Sequence, residues 1–312
     1  MKKLFFMALT AALMFASCND NEDVVSSGTK TSLLSIETEI STQRNTLRSG
    51  PLSLFPEGSV LSLFVCSGSL GTSYPGGPYN NISAEYNSGN WTMGSPVRLT
   101  SEDAVIYALY PYMPSLGNGV RTALIEHISQ VDYMFGTNAE GQSAINNNNP
   151  NVRLRMNHVQ ALLQFRINRL NYENAGIVTR VEACNNTGTT DLRSKGNLDI
   201  TTGEITFATD GYSAVIHDEN GLFTIPDTTP VNTDDYVNLM VLPVSNTSAN
   251  GSIQFRFTID GKSYSYNVPA NTSWKQGTKY IYDVTLNGTE LQIDDVIITD
   301  WVDGPEYPIE LS

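Results

Sequence analysis

Histidine is scarce in this chain of 312 residues, at His127, His158 and His217, and cysteine equally so, at Cys18, Cys66 and Cys184. No histidine has another histidine, a cysteine or a paired carboxylate at ligand spacing, so the sequence predicts no metal centre and implies no cofactor. His158, in Arg155-Met156-Asn157-His158-Val159, reads as a hydrogen-bonded structural histidine at a strand start, not as a base. The G-x-S-x-G elbow, the Walker loop and the dinucleotide glycine fingerprint are all missing, which removes the usual scaffolds of acyl transfer, nucleotide chemistry and hydride transfer. Adjacent acidic pairs such as Asp234-Asp235 and Asp294-Asp295 would face opposite ways in a strand, so they do not make the facing carboxylates of a glycosidase. His217-Asp218-Glu219-Asn220-Gly221 lacks the ordered ligand series of a calcium loop. Basic charge is lacking as well: 18 Lys and Arg stand against 32 Asp and Glu, a net charge of −14, which excludes nucleic acid and an anionic membrane face as partners. The apolar run Leu4 to Phe15 is about a dozen residues, against the roughly 20 that a membrane-spanning helix needs.

What is present begins at the N-terminus. Lys2-Lys3, the apolar run and Ala16-Ser17 before Cys18 form the charged, apolar and small-residue order of an export signal, residues 1–17. Small residues ahead of a cysteine resemble the bacterial lipobox, which implies that Cys18 carries a diacylglycerol and an N-terminal acyl chain. Each buried methylene contributes about 0.8 kcal/mol, so several chains anchor firmly to the outer-membrane lipid. A plain secretory peptide with a coincidental cysteine is the alternative. Residues 18–31 are expected to be a tether, and Asn19-Asp20-Asn21-Glu22-Asp23 within it resembles the acidic signal that sends lipoproteins of the Bacteroides group to the cell surface.

From Ser32 onward, short alternating or apolar runs are punctuated by Gly, Asn, Pro and Asp, the pattern of an all-β chain. The predicted strands are Val60 to Cys66, Ala104 to Tyr110, Val152 to Leu170, Ile177 to Cys184, Tyr236 to Leu242, Ser252 to Ile259, Lys262 to Val268 and Lys279 to Leu286. Asp260-Gly261 marks a tight hairpin, and Gly196 to Phe207 reads as another. Asn146-Asn147-Asn148-Asn149-Pro150-Asn151 offers no apolar side chain and is taken as the junction between domains 32–150 and 151–312; a long loop inside one large sandwich is the alternative. Cys66 and Cys184 both read as small buried core side chains, with a disulfide between them left open. Leu33 to Ile40 alternates, standing between the tether and a polar stretch in which Arg44 and Arg48 are exposed to proteases.

Several elements in order resemble the fimbrillin-like proteins of Bacteroides and relatives, subunits or accessory proteins of type V pili. They are Phe55-Pro56-Glu57-Gly58, the run Tyr107 to Tyr112, Gln130-Val131-Asp132-Tyr133-Met134-Phe135-Gly136, Asn157 to Leu163, Val241-Leu242-Pro243, Trp274 to Tyr282, and a closing Ile298-Thr299-Asp300-Trp301-Val302-Asp303-Gly304. The resemblance implies two tandem transthyretin-like β-sandwich domains of Greek-key type. It also implies a structural, non-catalytic role in adhesion at the outer-membrane surface or in an extracellular fimbrium. For stalk subunits it further implies that a protease removes the first strand, here Leu33 to Ile40, by cutting after Arg48 or alternatively Arg44. A strand from another pilus subunit then takes its place by β-strand addition. Pro305 and Pro308 make Glu306 to Leu311 a poor donor, so stalk, tip and anchor roles stay open. A stand-alone surface lipoprotein that binds glycan or host protein is the second reading, and a β-sandwich glycosidase the third.

Overall fold

A computed structural model describes residues 31–40, 54–117, 120–225, 236–288 and 290–301. Every helix or strand among them is a strand, so the chain is all-β, arranged in several sheets. The largest sheet has seven strands. Its order is β2 (Ser35–Ile40), β10 (Asn151–His158), β9 (Met134–Asn138), β7 (Val105–Tyr110), β3 (Val60–Cys66), β4 (Tyr79–Asn87) and β5 (Asn90–Met93). All its pairs are antiparallel except β2 with β10. The sheet curls until its end strands β2 and β5 come together. A two-stranded sheet of β1 (Ser32–Leu33) and β6 (Arg98–Leu99) supplies Leu99 to the same core as Leu61, Leu63, Ile106, Leu154 and Met156.

The second half builds two four-stranded sheets. One has the order β16 (Tyr236–Val241), β11 (Ala161–Leu170), β19 (Thr278–Asn287), β20 (Glu290–Asp300); the other runs β15 (Val215–Thr224), β12 (Ile177–Asn185), β17 (Ile253–Ile259), β18 (Lys262–Asn267). Alternation decides which side chains they bury: Ile253, Phe255, Phe257 and Ile259 of β17 face inward and the residues between them do not. Phe165 meets Phe255 edge to face at 4.8 Å, and Trp274 donates its indole N–H to the Tyr282 hydroxyl at 2.8 Å, so the largest polar group in this core is satisfied. Asp260 and Gly261 have φ of +48° and +74°, the primed turn that the sequence predicts between β17 and β18.

One strand expected from the sequence is two. The run from Val152 to Leu170 breaks after His158, where the Val159 amide bonds the Tyr133 carbonyl and the Gln160 carbonyl accepts from Gly277. The break carries the chain from the seven-stranded sheet to the sheet of β11. A three-stranded sheet also joins sequence-distant parts: β8 (Thr122–Glu126) pairs with β13 (Lys195–Asp199), which pairs with β14 (Ile205–Phe207). The β13–β14 pairing is the predicted hairpin. Beneath it, Phe64, Leu109, Ile125, Val159, Leu198 and Leu242 share one buried cluster.

A polar cluster lies beside this passage. Gln130 donates to the carbonyls of His127 and Met240 and accepts from the Met240 amide. His158 Nδ1 lies 2.7 Å from Asp132 Oδ1, and its ring stacks on Trp301 at 4.2 Å with only 2° between planes. Trp301 thereby ties the end of β20 to the end of β10.

Candidate functional site

The segment that leads into the first sheets makes ladder contacts with two different edges. Ser32 and Leu33 pair antiparallel with Leu99 and Arg98, and the Leu34 amide donates to the Val97 carbonyl at 3.0 Å. At Ser35 the partner changes: its amide donates to Pro150 O at 2.9 Å, and β2 then runs parallel to β10 from Ser35 opposite Asn151 to Ile40 opposite Met156. Ser32 Oγ adds a bond to the Asn147 carbonyl at 2.7 Å. The Asn-rich run of the sequence is therefore part of the seat that receives the leading segment.

Alternation does the rest. Leu34 and Ile36 are 3% and 6% exposed and belong to the core formed with Leu61, Leu99 and Leu154, while Glu37 and Glu39 face outward. Fully burying a side chain of this kind contributes about 1.5–3 kcal/mol. Arg153 reaches Glu39 at 3.8 Å, but both are about half exposed and the pair adds little. On the far side, Trp91 of β5 donates its indole N–H to Thr38 Oγ1 at 3.1 Å. The Trp91 ring is fixed by Phe55, edge-on at 5.0 Å, and by Tyr86 at 5.1 Å. A groove of about 620 Å³ follows β2 past Phe55, Tyr86 and Trp91. The leading segment is thus one end strand of the sheet, paired to β10 on one side and facing the other end strand, β5, across this groove. Its backbone, three apolar side chains and one hydroxyl make the contacts that hold it in this seat.

Cys18, Arg44 and Arg48, with residues 1–30, lie outside the described residues, as do Asp234 and Asp235 and the tail from 302. Cys66 in β3 and Cys184 in β12 are separate free thiols, both buried. Burial pushes the Cys66 thiol up, and burial together with the neighbouring Glu182 pushes Cys184 up to about 11, so neither is a ready nucleophile. His158 stands at the end of β10, not at a strand start, because the predicted long strand breaks there; its partner Asp132 comes from 26 residues upstream. Burial holds His127 down at about 4, and its Nε2 lies 2.9 Å from the Ser213 carbonyl. His217 is on β15 opposite Val181, and Asp294 and Asp295 are on β20. Among the described residues no group of three or more His, Cys, Asp or Glu is arranged to hold a metal ion, and no helix is long and apolar enough to cross a membrane. Of the aromatic run, Tyr110 packs on Phe55 at 5.2 Å and Tyr107 donates to the Gly68 carbonyl. Trp91 was not among the residues that sequence reasoning singled out; the Ser88-Gly89 turn before it, with φ of +51° and +82°, is the hairpin signal that marks β5.

The sequence profile described as fimbrillin-like matches residues 55–301, most of the chain, and the chain belongs to that family. The family is one of structural fimbrial and adhesion proteins, not of enzymes, and membership supports a fimbrial subunit role. The fold is similar to a putative cell adhesion protein from Bacteroides uniformis, with a TM-score of 0.62 at 16% identity, covering 86% of this chain and 99% of that one. It is also similar to a putative cell adhesion protein from Bacteroides ovatus, TM-score 0.62 at 14% identity over 88% and 99%. A fimbrial protein from Bacteroides vulgatus gives 0.52 at 14% identity over 86% and 99%. No curated protein matches the sequence.

Proposed function

We propose that the protein is a type V pilus subunit at the cell surface, organised as two tandem transthyretin-like sandwiches, whose segment 32–40 is a temporary closing strand. In this reading Cys18 holds the exported chain in outer-membrane lipid. A protease cuts after Arg48, or alternatively Arg44, and the released strand gives way to one from another subunit. The observation that carries the reading is the double seating of the leading segment, β1 on β6 and β2 on β10, with Leu34 and Ile36 in the core. Such a piece is continuous with the sheets yet lies at an edge, so its departure uncovers an apolar groove and unpaired main-chain groups that a second strand satisfies. A stand-alone binder would leave residues 33–40 apart from the sheets, so their insertion favours the pilus reading.

Limited trypsin digestion followed by mass spectrometry tests it. The expected product begins at Ser49, sheds the leading piece and forms larger assemblies on size-exclusion chromatography. A product that keeps residues 19–48 under conditions where Arg48 is accessible would count against the proposal.

A further inference from the structure

We infer that Trp91 reads the register of whichever strand occupies the groove, so that a partner strand must carry a Thr or Ser at one position of an otherwise apolar alternation. The inference rests on the exchange reading above and deepens it. The pattern is set by the present occupant: Leu34, Ile36 and Ile40 are apolar, and Thr38 between them accepts the Trp91 N–H at 3.1 Å. Trp91 is not free to turn away, because Phe55 and Tyr86 hold its ring on two sides. A slip of one residue turns every apolar side chain of the strand outward and is excluded by the core. A slip of two residues keeps the faces correct, and only the hydroxyl distinguishes it: Ile36 or Ile40 would then stand opposite the indole and leave its N–H without an acceptor. Apolar alternation thus sets the face, and the single polar contact sets the position along the groove. The entering segment has the form apolar-x-apolar-x-hydroxyl-x-apolar and comes from another subunit.

The test uses the full chain first. Hydrogen exchange followed by mass spectrometry is measured on the amides of residues 35–40 in wild type, Thr38→Val, Trp91→Phe and the double variant. Each single change is expected to speed exchange of these amides about tenfold, the double no more than either single, while the amides of β17 stay unchanged. Protection in wild type that neither substitution alters would overturn the inference, as would fully additive effects. Unprotected wild-type amides would instead overturn the closing-strand reading. A second arm adds synthetic peptides copying residues 32–40 to the trypsin-nicked chain. The native peptide is expected to bind about tenfold tighter than its Thr38→Val counterpart, and equal binding would overturn the inference.

Discussion

Lowering the pH should destabilise the fold through one residue that can be isolated by substitution. His127 is fully buried, its Nε2 is spent on the Ser213 carbonyl, and its Nδ1 meets no hydrogen-bond partner among the described residues, so burial keeps the ring neutral with a pKa of about 4 against 6.5 when unfolded. A folded-state value below the unfolded one means that below pH 6.5 the unfolded chain takes up a proton that the native chain refuses. The contribution is complete above 6.5 and is lost as pH falls toward 4. Worked through, the loss relative to pH 7 is about 2 kcal/mol at pH 5 and about 3 kcal/mol at pH 4. His127→Gln keeps a donor for Ser213 without the titration. Urea unfolding of both proteins at pH 7, 5 and 4 should show the wild type losing ground to the variant by these amounts. A gap between the two that stays constant to within about 0.5 kcal/mol across that range would refute the reasoning.

Substitutions at Gly203 and Trp301 probe how the halves are joined. Gly203 has φ of +77°, and an added Cβ would overlap the ring of Phe135 on β9, so Gly203→Ala should cost about 2–4 kcal/mol in urea unfolding, whereas Gly188→Ala, with the same sign of φ but open space around it, should cost only the backbone strain of about 1 kcal/mol. Trp301→Ala removes the stacking partner of His158 and a member of the small cluster with Leu162 and Met240; a loss of about 3–5 kcal/mol is expected by the same measurement, with Trp301→Phe losing less.

The strands were legible where alternation is local. Val60 to Cys66, an apolar run buried almost throughout, was predicted to the residue, and β12, β16, β17, β18 and β19 to within about one residue at either end, because apolar runs bounded by turn residues and period-2 alternation need no information from elsewhere in the chain. The long run to Leu170 misled for a physical reason: Val159, Gln160 and Ala161 are all fully buried, so nothing in the hydrophobic pattern marks the change of sheet. The stretch Tyr79 to Met93 is rich in Asn and Ser and mostly half-buried, which hid β4 and β5 and with them Trp91. The leading segment was readable as a detached alternating strand. Its parallel seat on β10 was not, since Ser35 and Asn151 come together only in the folded sheet. The same holds for β8 on β13 and for Asp132 beside His158, whose partners are set by tertiary structure alone.

Everything functional here turns on whether the strand beside β10 can change owner. Glu37 and Arg153 are register partners on β2 and β10 and both are exposed, so Glu37→Cys with Arg153→Cys places two thiols on the outer face where a disulfide staples the leading strand in place. Assembly after trypsin treatment is then followed by size-exclusion chromatography with and without reductant. The oxidised chain should stay monomeric and the reduced chain should assemble as wild type does. Equal assembly of the stapled and reduced forms would contradict the account.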